Sequence, residues 1–297
     1  MNSGKMCELI SAVKLMRIPG VGAELFKKLV IVFDGPANAL RAISKNPDIP
    51  AKISGRKINA GKNHDIKIIE KTLSYLKNLR QNESASYYGD SAYPVRLRTV
   101  KEPPPVIFFR GNPEILNNKN SIAIVGARKA SAKGIQIAQE ISRYFSENGW
   151  VIVSGGASGI DAAAHEQALE IKGHTVAVLG SGINIHYPKK NQKLLEEIEE
   201  KGVILTEFFP GTPPVASHFP TRNRIIAALS DIVVLVEGSE NSGSIYTVKN
   251  SVKSGKKTFC LDCRELNQGA KTLITNKYPK VQLIKRWWEI TSAVNNP

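Results

Sequence analysis

From residue 121 onward, short apolar runs alternate with stretches of helical periodicity, and this alternation limits the possible folds more than any other feature. The runs span 122–125, 151–153, 175–179, 203–206, 232–236 and 258–261. Helix-like segments lie between them near 131–148, 160–171, 191–200, 221–229 and 244–254. A strand that is apolar throughout is buried on both faces. Strands of that kind joined by helices make a parallel α/β sheet with helices covering each side. Ligands on such sheets bind beyond the carboxyl ends of the strands. The loops that follow the strands are therefore where function is expected.

The N-terminal third reads differently. Leu9, Ile10, Val13, Leu15 and Met16 form one helical face, and Leu25, Phe26, Leu29 and Val30 form another. The turn between them, Ile18-Pro19-Gly20-Val21-Gly22, resembles the helix-hairpin-helix signature. Gly20 and Gly22 would let the backbone approach a phosphate, helix amides would point at it, and Lys27 and Lys28 would add charge. The same glycines would serve equally in a packing unit whose turn touches no DNA. Helical patterning continues to residue 82, with an apolar stripe of Ile66, Ile69, Leu73, Leu76 and Leu79 flanked by lysines. The polar string 81–86 reads as a linker, and 87–120 as a loop, a turn and a short strand. The expected domains are thus 1–82, helical, and 83–297, built on the sheet with 83–120 as its extension.

Charge narrows the class of partner. Lys and Arg number 41 against 26 Asp and Glu, a net +15 in 297 residues. Residues 1–110 carry +10 of this and the remainder +5. A surplus of this size favours polyanions. Cys7, Cys260 and Cys263 are too few for a disulfide framework. The spacing of Cys260 and Cys263 lacks the two further ligands that a zinc site needs, so no metal is expected. No leader-like apolar run opens the sequence, and none approaches the roughly 20 residues of a membrane span. A cytoplasmic location without membrane attachment is the expectation.

Five loops then carry the chemistry. The first is Gly126-Ala127-Arg128-Lys129-Ala130-Ser131. A dinucleotide fingerprint would place a glycine where Arg128 stands and an acid at the end of the next strand, where Ser154-Gly155-Gly156 stands instead. NAD is disfavoured, and an arginine facing a helix start suits a phosphate. In the second loop, Gly155 and Gly156 are expected to cradle phosphate and Asp161 to cap a helix. The third brings Tyr187, Lys189 and Lys190 together, a pairing of charge and ring that suits single strands. The fourth sets Arg222, Asn223 and Arg224 at a helix start, where arginines oppose the dipole and require an anionic partner. The fifth ends in Ser242-Gly243-Ser244, hydroxyls and amides suited to an anion.

In this order, the strings IAIVGARKAS, VSGGASGIDAAAH, AVLGSGINIHYPKKN, FPTRNRIIAALSD and EGSENSGS resemble the DprA/Smf family of DNA-processing proteins, over roughly residues 87–275. The resemblance implies a Rossmann-like sheet domain behind a helix-hairpin-helix or SAM-like helical domain. It also implies single-stranded DNA binding, a homodimer, and the loading of RecA recombinase during natural transformation, with no catalytic step, cofactor or metal. Arg128 and Lys189 match positions that contact DNA in the family, while Arg222, Asn223 and Arg224 match its RNR string and Gly155 and Gly156 its SG loop. The chain departs from the family's SGLARGID at Gly156 and Ser158, which removes one positive charge. It departs again at Ile245-Tyr246-Thr247-Val248 and Cys260-Leu261-Asp262. The winged-helix domain that some members carry after the sheet is not expected after Trp287-Trp288. Two alternatives stay open: a nucleotide hydrolase, which would need a catalytic Glu that 237–248 lacks after its turn, and a sensor for a small nucleotide. His165 and His186 read as structural rather than catalytic.

Overall fold

The structure, a computed structural model, describes residues 3–55, 66–118, 120–262 and 264–295. Cys263 and the basic residues Arg56, Lys57 and Lys62 lie outside the described residues.

Five helices come first: α1 (Ser3–Met16), α2 (Ala23–Val32), α3 (Pro36–Lys45), α4 (Ile49–Ser54) and α5 (Ile66–Lys77). The two expected apolar faces meet here, with Leu9, Val13 and Leu15 of α1 buried alongside Leu25, Phe26 and Leu29 of α2. The chain continues through β1 (Glu83–Tyr87), α6 (Val95–Arg98), β2 (Val106–Gly111) and β3 (Ser121–Val125). Next come α7 (Ala132–Glu147), β4 (Val151–Ser154), α8 (Ile160–Glu170), β5 (Thr175–Val178), α9 (Gln192–Lys201) and β6 (Val203–Thr206). It closes with α10 (His218–Leu229), β7 (Ile232–Leu235), α11 (Ser244–Lys253), β8 (Lys257–Leu261), α12 (Arg264–Lys277), β9 (Gln282–Ile284) and α13 (Glu289–Asn295).

The nine strands form one sheet in the order β1-β2-β6-β5-β4-β3-β7-β8-β9. It is parallel from β6 to β9, while β2 runs antiparallel to β6 and β1 antiparallel to β2. The two-residue period of the strands assigns each side chain to a face. Ile122 and Ile124 of β3 pack with Ile141 and Phe145 of α7 and Ala163 of α8. Ala123 and Val125 pack on the other face, with Ile225 and Ile226 of α10 and Val248 of α11. The N-terminal helices share the α7 and α8 side, because one apolar cluster runs from Leu9 and Phe26 through Val106 and Phe108 to Leu195 and Ile204.

The segment 81–86 is not a linker. Residues Glu83–Tyr87 form β1, paired along its length with β2. Its polar residues have buried partners: Glu83 faces Arg110 across the strands with 2.9 Å between charged atoms, and Ser86 donates to Asp90 at 3.0 Å. Polarity in this strand therefore reflects internal pairing rather than solvent exposure. The helix expected near 221–229 also begins earlier, at His218, which places Arg222 and Arg224 in its second turn.

The order of the strands reverses at β3. Successive strands run outward on one side through β4, β5 and β6, and on the other through β7, β8 and β9. The crevice outside the ends of β3 and β7 is the switch point where such sheets bind ligands.

Candidate nucleic-acid interface

A cavity of about 480 Å³ lies at that switch point, between the loops after β3 and β7 and the start of α10. A second, of about 100 Å³, adjoins it toward the loop after β5. Arg128, Ala157 and Phe219 line both. Arg128 is exposed, and its guanidinium lies 4.8 Å from the centre of the Phe219 ring. Tyr187 continues the line, with its ring 5.7 Å from Phe219 and 40% exposed. An exposed cation beside two accessible rings can neutralise a phosphate and stack a base in the same stretch of backbone.

The other candidates divide into groups. Lys129, Asn223, Ser242, Gly243 and Ser244 line the larger cavity. Asn223 donates to the Gly243 carbonyl at 2.8 Å, which fastens the serine turn to α10, and the Ser242 and Ser244 hydroxyls sit 2.7 Å apart. Lys189 and Lys190 are exposed on a single turn of 3-10 helix, Lys189–Asn191, and line neither cavity. That turn is held to the β4 loop by Asn191, which donates to the Gly156 carbonyl at 3.0 Å.

Arg222 also borders the cavity but is only 4% exposed. Its guanidinium donates to the Gly155 carbonyl at 2.8 Å, to the Val178 carbonyl, and through Nε to Asn223 at 3.0 Å. Arg224 pairs with both carboxylate oxygens of Glu207, one of them at 2.6 Å. The anionic partners that the sequence argument required for these arginines are internal. Arg224 has Glu207, and Arg222 shares its buried surroundings with Asp161.

The β4 loop departs from the expected phosphate cradle. Gly155 and Gly156 are buried, and their missing side chains make room for the protein itself. A Cβ on Gly155 would press into the Arg222 guanidinium, and one on Gly156 (φ +65°) would crowd Leu195. Asp161 is not the cap residue of α8, a place held by Gly159. Its carboxylate accepts the Gly155 amide at 3.1 Å and the Ala157 amide at 3.4 Å. Burial pushes the Asp161 carboxyl up, against the opposing pull of Arg222 and those amides. Burial likewise pulls Arg222 down to about 10, which leaves it charged at neutral pH. His165, fully buried against Thr175 at 2.7 Å, is pulled to about 3 by burial and then by Arg222, so it is neutral and structural. His186 meets Glu199 at 2.7 Å and lines neither cavity.

Phe219 and Glu237 are among the lining residues that sequence reasoning did not single out, although both fall within the quoted strings. Glu237 follows β7, and its carboxylate accepts the Ser131 amide at 3.0 Å and the Ser131 hydroxyl at 2.9 Å. Ser131 is the N-cap of α7 and accepts the Gly134 amide at 3.0 Å.

The glycine turn of the helical part borders an open depression of about 630 Å³, lined by residues Met16 to Gly22 and by no residue of the sheet. Lys27 lies 5.6 Å from the Tyr88 ring, and Lys28 pairs with Glu24 at 3.2 Å. Among the described residues no group of His, Cys, Asp and Glu could hold a metal, and no helix is long and apolar enough to cross a membrane.

The chain is similar to known proteins in sequence and in fold. The family described as DNA recombination-mediator protein A matches residues 84–293. DNA processing protein DprA of Bacillus subtilis is 38% identical over 57% of this chain and 57% of its own length. Protein Smf of Synechocystis is 33% identical over 82% of this chain and 62% of its own. The match therefore spans less than two thirds of either relative. The X-ray structure of DprA from Streptococcus pneumoniae superposes with a TM-score of 0.74 at 27% identity, covering 96% of this chain and 97% of that one. A structure of DNA processing protein A from Helicobacter pylori, described for its single-stranded DNA binding mode, gives 0.65 at 28% identity, over 72% and 95%.

Proposed function

This chain belongs to the DNA recombination-mediator protein A family, the DprA/Smf proteins, and from that premise we propose that it binds single-stranded DNA across the switch-point cavities. The observation that carries the reading is the run of Arg128, Phe219 and Tyr187 across two joined cavities. Phosphates lie against Arg128 and Lys129, bases lie on the rings, and Lys189 and Lys190 guide the strand at the rim. The finer reading follows the family: a cytoplasmic homodimer that protects incoming single strands and helps load RecA recombinase in natural transformation.

The role is binding rather than hydrolysis. Both carboxylates at the cavity, Asp161 and Glu237, are held by amides and a hydroxyl, not poised over open space as a general base would be.

Fluorescence anisotropy of a labelled oligo-dT tests the proposal. The wild-type chain is expected to bind. Arg128→Ala weakens binding by about tenfold, the scale of one lost hydrogen bond to a charged group. Lys189→Ala, removing an exposed charge, weakens it less, by roughly two- to threefold. Binding unaffected by Arg128→Ala overturns this placement of the strand. A cavity of about 480 Å³ is also large enough for one nucleotide. Displacement of oligo-dT by micromolar mononucleotide would identify the site as that of a small-nucleotide sensor.

A further inference from the structure

In a parallel sheet of this order, the helix that follows the first strand beside the switch point usually offers its N-terminus to a ligand phosphate. Here that helix is α7, and an anion already sits at its start. The Glu237 carboxylate accepts the Ser131 amide at 3.0 Å and the Ser131 hydroxyl at 2.9 Å. It lies so close over Gly134 that any side chain there would collide with it. Glu237 also lines the 480 Å³ cavity, on whose border Arg128 is the exposed arginine.

We propose that Glu237 is a specificity-determining residue that keeps free nucleotides out of this cavity. Its carboxylate fills the helix terminus that a terminal phosphate or pyrophosphate would need. It adds a fixed negative charge that opposes a phosphate monoester, with nearly two charges, more than a phosphodiester, with one. A chain phosphate inside a strand carries the smaller charge and can be met by Arg128 alone. The carboxylate thus selects a phosphodiester within a strand over a terminal phosphate. This deepens the reading of the cavity as a single-strand site and rests on it for the identity of the preferred ligand. The exclusion of monoesters by Glu237 stands on the geometry alone.

The test measures binding of thymidine monophosphate and of inorganic pyrophosphate by titration calorimetry to the wild-type chain, Glu237→Gln and Glu237→Ala. Circular dichroism melting confirms that each variant is folded. Glu237→Gln keeps the volume and one acceptor for Ser131 while removing the charge, and Glu237→Ala also vacates the helix terminus. The expected order of affinity for both ligands is Ala above Gln above wild type. The gain from wild type to Ala is about tenfold or more, the scale of one hydrogen bond to a charged group. Folded variants that bind the two ligands no better than wild type overturn the inference, as does a wild-type chain that already binds them at micromolar concentration. Oligo-dT is titrated in parallel. If it fails to bind wild type while the monoester gain appears in the variants, the single-strand reading falls and the role of Glu237 stands.

Discussion

At the scale of single residues, the site depends on an arginine that is almost wholly buried at the cavity's border. Arg222 donates to two main-chain carbonyls, those of Gly155 and Val178, and so ties the ends of β4 and β5 beneath the floor of the cavity. Gly155 is the reciprocal of that arrangement, since a methyl group there would occupy the space of the guanidinium. Arg222→Met would leave both carbonyls without this donor and deprive buried Asp161 of its neighbouring positive charge. Unsatisfied buried groups cost about 1–3 kcal/mol each, so urea unfolding is expected to show a loss of about 3 kcal/mol. Gly155→Ala should also destabilise. Because the two changes act on one contact, the double variant should lose clearly less than the sum of the singles. Full additivity in that cycle would show that the two residues act independently. The arginine was visible in the sequence but its role was not. A helix start placed at residue 221 put it on the surface, whereas the helix begins at His218 and its second turn faces the sheet.

At the scale of elements, periodicity in one dimension was enough for the parallel sheet. The six expected strands fall within a residue of those observed at each end, because burial on both faces writes itself into consecutive apolar residues. What was not legible depended on partners distant in sequence. β1 looked like a linker because its pairing residue, Arg110, lies in another strand. Arg110 sits between Glu83 at 2.9 Å and Glu199 at 3.3 Å, and Glu199 also meets His186, so one buried network joins β1, β2, α9 and the loop that leads to Lys189. Arg110→Met would leave buried Glu83 without its cation and half-buried Glu199 with His186 alone, and is expected to cost about 3 kcal/mol, measured by denaturant unfolding. Burial raises the Glu199 carboxyl, but His186 and Arg110 outweigh it and hold the group below its ordinary value of 4.5. A carboxyl depressed in the folded state contributes stability above its unfolded value, and that contribution is lost as pH falls through the folded one. Thermal melts should therefore drop on acidification below about pH 4.5. Glu199→Gln should flatten that acid limb, and an unchanged limb would remove Glu199 from the account. The contacts among Arg128, Phe219 and Tyr187 escaped the sequence for the same reason, since they join the loops after β3 and β5 to the first turn of α10.

At the scale of the whole molecule, the net charge of +15 divides unevenly, with +10 in residues 1–110, which include the helical part, and +5 in the remainder, which holds both switch-point cavities. Cavity contacts and the surrounding field should therefore separate by length of DNA. A short oligo-dT confined to the cavities displaces counterions only from the phosphates near Arg128, Lys129 and the rim lysines. A longer strand that runs over the helical part displaces more. Each neutralised phosphate contributes about −0.7 to the slope of log K against log salt on single strands. The slope is expected to steepen by about 2 units or more between an oligonucleotide of about 6 nucleotides and one of about 30, if three or more further phosphates meet the helical surface. Lys27→Ala combined with Lys28→Ala should reduce that increment for the long strand and leave the short one unaltered, because neither lysine lines a switch-point cavity. Equal slopes for both lengths would confine DNA to the sheet domain. The glycine turn between α1 and α2 would then be a packing unit, and the basic surplus of the helical part would act only on the rate of encounter, which also weakens with salt.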